Sequence, residues 1–277
     1  MSATYTRSLN WLAIAAAFWG MTICISADVS AQEWGSISGQ LVLKGDIPPV
    51  TILVEKEDPN VKDAAICAEA AVPSDELVID EETKGIANVF VYLYTSRRSK
   101  LDPEQIHPDL RTTPEDKREV VFDQKNCRFI PQALVVRTDQ TVIVKSGDAC
   151  AHNTHTIPLR NSGQNFILSP NDRVGVPVTL PQPESVPITV KCDLHSWMKA
   201  FWLVVDHPYA TKTDAQGKFT IKHLPVGERR FRIWHERIGY IDRKLDPKNT
   251  KYELNVGEGE LKLDPIEVPV EWFTQDS

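Results

Sequence analysis

Three catalytic motifs are missing from this chain of 277 residues. It has no Gly-x-Ser-x-Gly nucleophile turn, no His-Glu-x-x-His metal motif and no glycine-rich phosphate-binding loop. Excess positive charge is missing too, because 31 Lys and Arg stand against 38 Asp and Glu, a net charge of −7. Catalysis is therefore not indicated. Nucleic acid and anionic membrane surfaces are disfavoured as partners, whereas basic proteins remain open.

Patterns typical of long helices are also absent. The 19 prolines oppose them, no heptad or long tandem repeat occurs, and only residues 61–71 are compatible with a short helix. Short runs rich in Val, Ile, Phe and Tyr recur instead, separated by Gly, Pro, Asn and Asp. We therefore expect an all-β protein. The polar, proline-containing residues 96–118 are predicted to form a linker or a long surface loop.

One apolar run stands out, at residues 9–25, and it follows Arg7. Small residues at 29–31 then offer a cleavage position, so residues 1–31 have the layout of a secretory signal peptide. This predicts a periplasmic or secreted protein of the cell envelope. The alternative is an uncleaved membrane anchor, because the run is at the short limit for a spanning helix. The rest of the chain is long enough for one large or two modest domains.

The most informative feature is the spacing of Cys192, His195 and Met198. A thiolate, an imidazole and a thioether at Cys-x2-His-x2-Met spacing reach one metal ion from a single tight loop, and this soft set suits copper. Apolar residues alternate through residues 188–192, so this strand directs Cys192 inward. The loop therefore predicts three ligands of one copper site.

A second imidazole comes from upstream, where His152 and His155 lie close together. If this segment is extended, the two side chains point in different directions, so both are not expected to bind one ion. We assign His152 to the metal and a surface role, or a role beside the ligands, to His155. Together with the loop, His152 completes a mononuclear blue-copper site.

Four cysteines follow the predicted signal peptide: Cys67, Cys127, Cys150 and Cys192. Pairing is the usual fate of cysteines in an oxidising compartment, and assigning Cys192 to metal leaves an odd number. We favour a disulfide between Cys67 and Cys127, because Cys150 lies close to the metal-binding turn. Cys150 is then a small buried residue or a second sulfur near the metal, as in a binuclear copper centre.

Residues 118–206 resemble a cupredoxin, and specifically an amicyanin-like one. The resemblance rests on Phe-Ile-Pro at 129–131, a hairpin over 135–144, His-Asn at 152–153, the short ligand loop and its closing strand. It implies a Greek-key β-sandwich and a hydrogen bond from Asn153 across to the ligand loop. It also implies one type 1 copper ion. Its three trigonal ligands are then His152, Cys192 and His195, and Met198 is the weak axial ligand.

Two positions depart from the cupredoxin pattern. Asp193 follows the ligand cysteine where the family has Ser or Thr, and Lys199-Ala200 replaces the glycine after the methionine. A carboxylate near the copper favours the more positive, oxidised ion. We therefore expect Asp193 to lower the reduction potential.

The flanking regions resemble carboxypeptidase regulatory-like, or transthyretin-like, β-sandwich modules. Gly-Ser-Ile-Ser-Gly at 35–39 matches their first strand, and residues 214–233 match a later turn, strand, Pro-x-Gly turn and strand. We expect residues 33–110 and 207–275 to form one second sandwich around the inserted cupredoxin. The plainer alternative is three serial pieces. Some relatives bind carbohydrate, but no aromatic platform here supports that.

Two further histidines, His207 and His235, are predicted to make structural hydrogen bonds, and His223 joins them as a further candidate. A second metal site formed by them is the alternative reading.

These features favour an exported one-electron carrier over a catalyst, because four ligands leave no open position for substrate. The resemblance implies that the exposed edge of His195 is the electron exit, with Leu194 and Trp197 as an apolar docking patch for a redox protein. Copper storage or delivery is one alternative. A cell-envelope interaction module with an accessory copper site is the other. The visible spectrum of the copper-loaded protein best separates these readings.

Overall fold

The computed structural model describes residues 1–2, 33–96 and 100–274, so the predicted signal peptide lies outside it except for its first two residues. The described chain confirms the predicted all-β class. Its strands are β1 (Trp34–Lys44), β2 (Ile52–Val54), β3 (Val72–Pro73), β4 (Phe90–Leu93), β5 (Glu119–Lys125), β6 (Arg128–Ile130), β7 (Ala133–Arg137), β8 (Thr141–Ser146), β9 (His152–Ile157), β10 (Asn165–Leu168), β11 (Val176–Thr179), β12 (Ile188–Lys191), β13 (Lys199–Val205), β14 (Ala210–Lys212), β15 (Lys218–Pro225), β16 (Gly227–His235), β17 (Gly239–Tyr240), β18 (Tyr252–Val256), β19 (Gly259–Lys262) and β20 (Ile266–Pro269).

The helices are short. They are α1 (Ala64–Cys67), α2 (Asp242–Leu245) and α3 (Glu271–Thr274), and single 3-10 turns occur at Pro103–Gln105, Pro108–Leu110 and Glu115–Lys117. The helix predicted over residues 61–71 is thus reduced to the single turn of α1, and the predicted loop over 96–118 contains all three 3-10 turns. Within the described ranges, no helix has the length and apolar character needed to cross a membrane.

Strands β5 to β13 form a central sandwich of two sheets, ordered β10-β9-β12-β13-β7 and β11-β8-β5-β6. Alternating side chains fill its core: Val142 and Val144 are fully buried, whereas Ile143 between them is partly exposed. At the centre the ring of Phe122 meets that of Trp202 edge-on, with centroids 4.9 Å apart. Strand β9, which begins at His152, and strand β12, which leads into Cys192, are neighbours in the first sheet.

The predicted hairpin over residues 135–144 is wrong. β7 pairs with β13 in one sheet, whereas β8 pairs with β5 and β11 in the other. The connecting turn is closed by Arg137 and Gln140, with the Gln140 N–H donating to the Arg137 carbonyl at 2.9 Å. This turn carries the chain across the core. Strand periodicity did not reveal it, because each strand has one face in the core in either arrangement.

A second sandwich uses strands from both sides of the central one in the sequence. β1 pairs with β15, β19 and β20, while β4 pairs with β14 and β16. Gly217, before β15, has a φ of +74° and packs against the Leu41 carbonyl, so a side chain has no room there. Leu41 and Phe231 lie fully buried in the core that these strands share.

Strand β13 is buried on both faces. Trp202 and Val204 enter the core of the central sandwich, while Leu203 and Val205 join a separate cluster that includes Phe90 of β4. This packing explains why the run at residues 201–205 is apolar throughout.

A small unit, the β2–β3 segment (residues 52–73), consists of the paired strands β2 and β3 with α1 between them. It has a core of its own, formed by Val54, Ala68 and Val72. A disulfide joins Cys67 of α1 to Cys127, in the turn between β5 and β6. This is the pairing that the sequence favours, and it fixes the segment beside the central sandwich.

Candidate metal centre

The ligand loop runs from Cys192 to Met198, between β12 and β13. The Cys192 N–H donates to the Met198 carbonyl at 3.1 Å, and the Met198 N–H donates to the His195 carbonyl at 2.9 Å, so the loop closes tightly. Val190 and Cys192 share the inward face of the strand end. As a result, Cys192 and Met198 are each 2 % exposed and His195 is 0 % exposed.

His152, the first residue of β9, is also fully buried. Its Nδ1 lies 2.9 Å from the His195 Nδ1, which in turn lies 3.7 Å from the Cys192 Sγ. The ligand atoms of these three residues all lie within 4.8 Å of one another. Met198 packs in the same hydrophobic core as Cys192. The structure therefore brings two imidazoles and a thiol together in one buried cluster, with a thioether in the surrounding core.

The Cys192 thiol and the His152 imidazole shift each other's pKa in opposite directions. Burial raises the pKa of Cys192, but hydrogen bonds with His152 and His195 outweigh burial and lower it to about 6. Burial lowers the pKa of His152, whereas its hydrogen bonds with Asp148 and Cys192 raise it to about 9. Thiolate and neutral imidazole are the forms that bind metal. At neutral pH the cluster thus offers a thiolate, and His152 has one proton to release on metal binding.

Asn153 ties the two ligand segments together. Its Oδ1 accepts the N–H of Asp193 at 2.7 Å and the N–H of Leu194 at 3.3 Å, and it lies 3.3 Å from the Cys192 Sγ. Because Asn153 directly follows His152, one amide side chain holds the ligand loop against β9. This is the contact that the cupredoxin resemblance implies.

The Asp193 carboxylate is surrounded by donors on the outer face of the sheet. Lys191 lies 3.0 Å and His155 2.9 Å from it, and the amides of Asn153 and Asn165 each donate at 3.1 Å. These contacts, Lys191 first, lower the pKa of Asp193 to about 2. His155 is partly exposed and contacts this carboxylate. The expected effect of Asp193 on the potential is therefore opposed by the charge of Lys191.

The imidazole edge of His195 is covered, so the expectation that it is exposed is wrong. Its Nε2 lies 3.0 Å from an Asp63 carboxylate oxygen, and its ring centroid lies 5.2 Å from that of Trp197. Asp63 belongs to the β2–β3 segment. The expectation failed because the cupredoxin resemblance covers only residues 118–206, and the segment that supplies the cover lies outside them.

The two predicted docking residues, Leu194 and Trp197, are partly exposed and pack against the central core. Trp197 also packs on the core of the β2–β3 segment and donates its indole N–H to the Cys127 carbonyl at 3.1 Å. Together with Met198 and Arg128 it lines an open cavity of about 230 Å³. Trp197 thus connects the buried His195 ring to the surface.

Asp148 is a second carboxylate beside the cluster, and sequence reasoning missed it. Its Oδ2 lies 2.8 Å from the His152 Nε2, and its carboxylate accepts the N–H groups of Asn126 and Cys127. Burial raises the pKa of Asp148, but these hydrogen bonds outweigh burial and lower it. The only sequence signal was its position four residues before His152. Asp63 offered no signal, because 132 residues separate it from His195.

Cys150 is a free, buried thiol. Its Sγ lies 3.5 Å from the His152 Nε2 and 4.0 Å from the Cys127 Sγ of the disulfide. Burial, followed by the nearby Asp148 carboxylate, raises the pKa of Cys150 to about 11. Cys150 is therefore a neutral thiol beside the His152 Nε2, and its Sγ also lies within 4.8 Å of a ring nitrogen of His195.

The remaining candidate histidines do not join this cluster. The buried His207 accepts the N–H of Tyr209 at 3.2 Å, and the buried His235 accepts the N–H of Arg237 at 3.3 Å. Burial lowers their pKa values to about 4 and about 3, so both are neutral. His223 is exposed. In the part of the chain that the structure describes, none of the three belongs to a group of metal-ligand side chains.

Comparison with known proteins gives structural neighbours only. No protein-family model and no curated protein matches the sequence. One similar solved structure is a Cu-containing nitrite reductase from Thermus scotoductus SA-01, at 18% identity over 31% of this chain and 22% of that chain, with a TM-score of 0.27. A reduced amicyanin mutant matches at 17% identity over 32% of this chain and 84% of that chain, with a TM-score of 0.29. Amicyanin from Paracoccus versutus (Thiobacillus versutus) matches at 14% identity over 34% and 85%, with a TM-score of 0.28.

The chain thus spans less than a quarter of the reductase chain that it matches. Because these TM-scores are low, the metal assignment rests on the donor set. Hard cations such as Mg²⁺ and Ca²⁺ prefer oxygen ligands. Two imidazoles, a thiolate of lowered pKa and a thioether form a soft set, which fits copper.

Proposed function

We propose that this protein is an exported one-electron carrier with one type 1 copper ion. The residues that hold the ion in this proposal are His152, Cys192, His195 and Met198. The observation that carries the proposal is the buried cluster of two imidazoles and a low-pKa thiol within 4.8 Å of one another. Copper bound there supplies reversible one-electron transfer.

In this proposal, the residues around the copper ligands limit the movement of the ligand side chains. The tight loop and the Asn153 hydrogen bonds hold the ligand side chains in place, and burial keeps water away from them. Rigid, enclosed ligands reduce the reorganisation that accompanies each electron transfer. A complete ligand set also leaves no open position for substrate, which favours a carrier over an enzyme.

The partner in this proposal is a redox protein that docks beside Leu194 and Trp197. Trp197 is the contact of choice, since it is partly exposed and its ring lies against that of His195. Export to the periplasm or cell envelope is part of the proposal, on the basis of the signal peptide layout at residues 1–31.

The visible spectrum of the copper-loaded mature protein tests the proposal. We expect one copper ion per chain and a strong visible band from the Cys192 thiolate. Cys192→Ser should abolish the band, while the matched Cys150→Ser should retain it, because Cys150 contacts the His152 Nε2 and not the Nδ1 that faces His195. A colourless Cu(II) complex that Cys192→Ser leaves unchanged would contradict the proposal. Ready loss of reduced copper to a chelator would favour copper delivery instead.

A further inference from the structure

Asp63 has an unusual backbone and an unusual side-chain contact. Its φ is +56°, in the left-handed region that residues other than glycine seldom adopt. It occupies the N-cap position of α1, where an Asp side chain normally accepts a helix N–H, yet it makes no such hydrogen bond. Its carboxylate lies 3.0 Å from the His195 Nε2 instead. The local conformation thus directs this side chain to the imidazole.

The position of Asp63 is fixed from several sides. The disulfide holds Cys67, four residues further on, to Cys127. Val54, Ala68 and Val72 form the core of the segment, and Trp197 packs against them. The backbone at Asp63 is therefore held beside His195, while the Asp63 side chain is 37 % exposed.

We propose that Asp63 is a positioning residue that holds the Nε2–H of His195 and lowers the reduction potential of the copper site; this inference rests on the proposed function. A carboxylate that accepts the N–H of a ligand imidazole fixes the ring and increases its basicity. It also brings negative charge near the metal. Both effects stabilise Cu(II) more than Cu(I), because the oxidised ion carries the larger charge.

Asp63 differs in this respect from Asp193, the acidic residue that the sequence points to. Asp193 pairs with Lys191 at 3.0 Å, so a cation offsets its charge. The Asp63 carboxylate contacts a ligand imidazole directly. The potential should therefore depend on a residue outside the region that resembles a cupredoxin.

The test is the reduction potential of the full mature protein carrying Asp63→Asn, with Glu69→Gln as the matched control. The amide keeps an acceptor for His195 but removes the charge. Glu69 is exposed on the same segment, so its variant makes the same charge change away from the imidazole. We expect Asp63→Asn to weaken the preference for Cu(II) about tenfold, which raises a one-electron potential by about 59 mV, while the visible band is retained.

Three outcomes would overturn the inference: an unchanged potential in Asp63→Asn, an equal shift in Glu69→Gln, or loss of the visible band in both Asp63→Asn and Asp63→Glu. The last result would assign Asp63 to folding of the segment. Loss of the band in Asp63→Asn with recovery of band and potential in Asp63→Glu would support the inference. A parent protein without a visible band would instead contradict the proposed function itself.

Discussion

Four buried histidines fall into two classes that share burial but differ in their partners. His152 and His195 each have a carboxylate within 3.0 Å of one ring nitrogen and lie beside the Cys192 thiol at the other. His207 and His235 accept backbone N–H groups instead. The pKa of His152 is raised to about 9, whereas those of His207 and His235 are lowered to about 4 and about 3. Burial alone therefore does not separate the two classes; the anionic partners do.

The largest effects should come from replacing one histidine of each class. His152→Gln should lower copper affinity by more than about 100-fold, the upper end for residues that only support a ligand. His235→Gln should leave copper affinity unchanged and lower the free energy of unfolding by about 1–3 kcal/mol, because a buried hydrogen bond is disturbed. Chelator competition and denaturant unfolding measure the two quantities. Loss of copper binding in both variants would contradict the division, because a histidine of each class would then be needed to bind copper.

A smaller effect is expected when a ligand histidine loses its carboxylate. Asp148→Asn should lower copper affinity by about 10–100-fold and move the pKa of His152 down, since Asp148 contributes to raising it. An NMR titration of the copper-free protein and a chelator competition measure these changes. Glu119→Gln, exposed at the start of β5, is the control. If the pKa of His152 stays near 9 in Asp148→Asn, then Cys192 and not Asp148 is what raises the pKa of His152 above those of His207 and His235.

The tie between the ligand segments can be removed without touching either imidazole. Asn153→Ala leaves the N–H groups of Asp193 and Leu194 without their acceptor, so the free energy of unfolding should fall by about 1–3 kcal/mol. The visible band should also broaden or weaken as the loop loosens. Asn165→Ala, on the exposed side of the same cluster, should change stability less. An equal decrease in the free energy of unfolding in the two variants would show that Asn153 does not specifically join the two ligand segments.

The last prediction concerns how the stability of the fold depends on pH through the neutral histidines. The pKa of His207 is about 4 in the fold and 6.5 ordinarily, so the unfolded chain binds more protons between these values. The contribution of His207 to stability should therefore rise with pH from about 4 to 6.5 and level off above it. Thermal unfolding of copper-free protein across this range measures the slope, which His207→Gln should reduce without abolishing it, because His235 is also neutral in the fold over this range. An unchanged slope would assign the acid sensitivity to other groups.

Local sequence was sufficient for the ligand loop but not for what surrounds it. Cys192, His195 and Met198 lie within one tight turn, so their spacing alone brings them together. Strand periodicity distinguished the buried His152 from the partly exposed His155. The same periodicity could not tell that β7 and β8 lie in different sheets, because a hairpin and a crossover bury the same alternate residues.

The sequence by itself therefore determined the all-β class and the identity of the four ligand-type side chains, because both follow from short-range spacing and alternation. The tertiary structure alone decided the environment of those side chains. Asp63 reaches His195 across 132 residues, and the covalent link that holds it there spans a sequence separation of 60. Contacts over such distances depend on how sheets and segments pack together, and no local pattern encodes them.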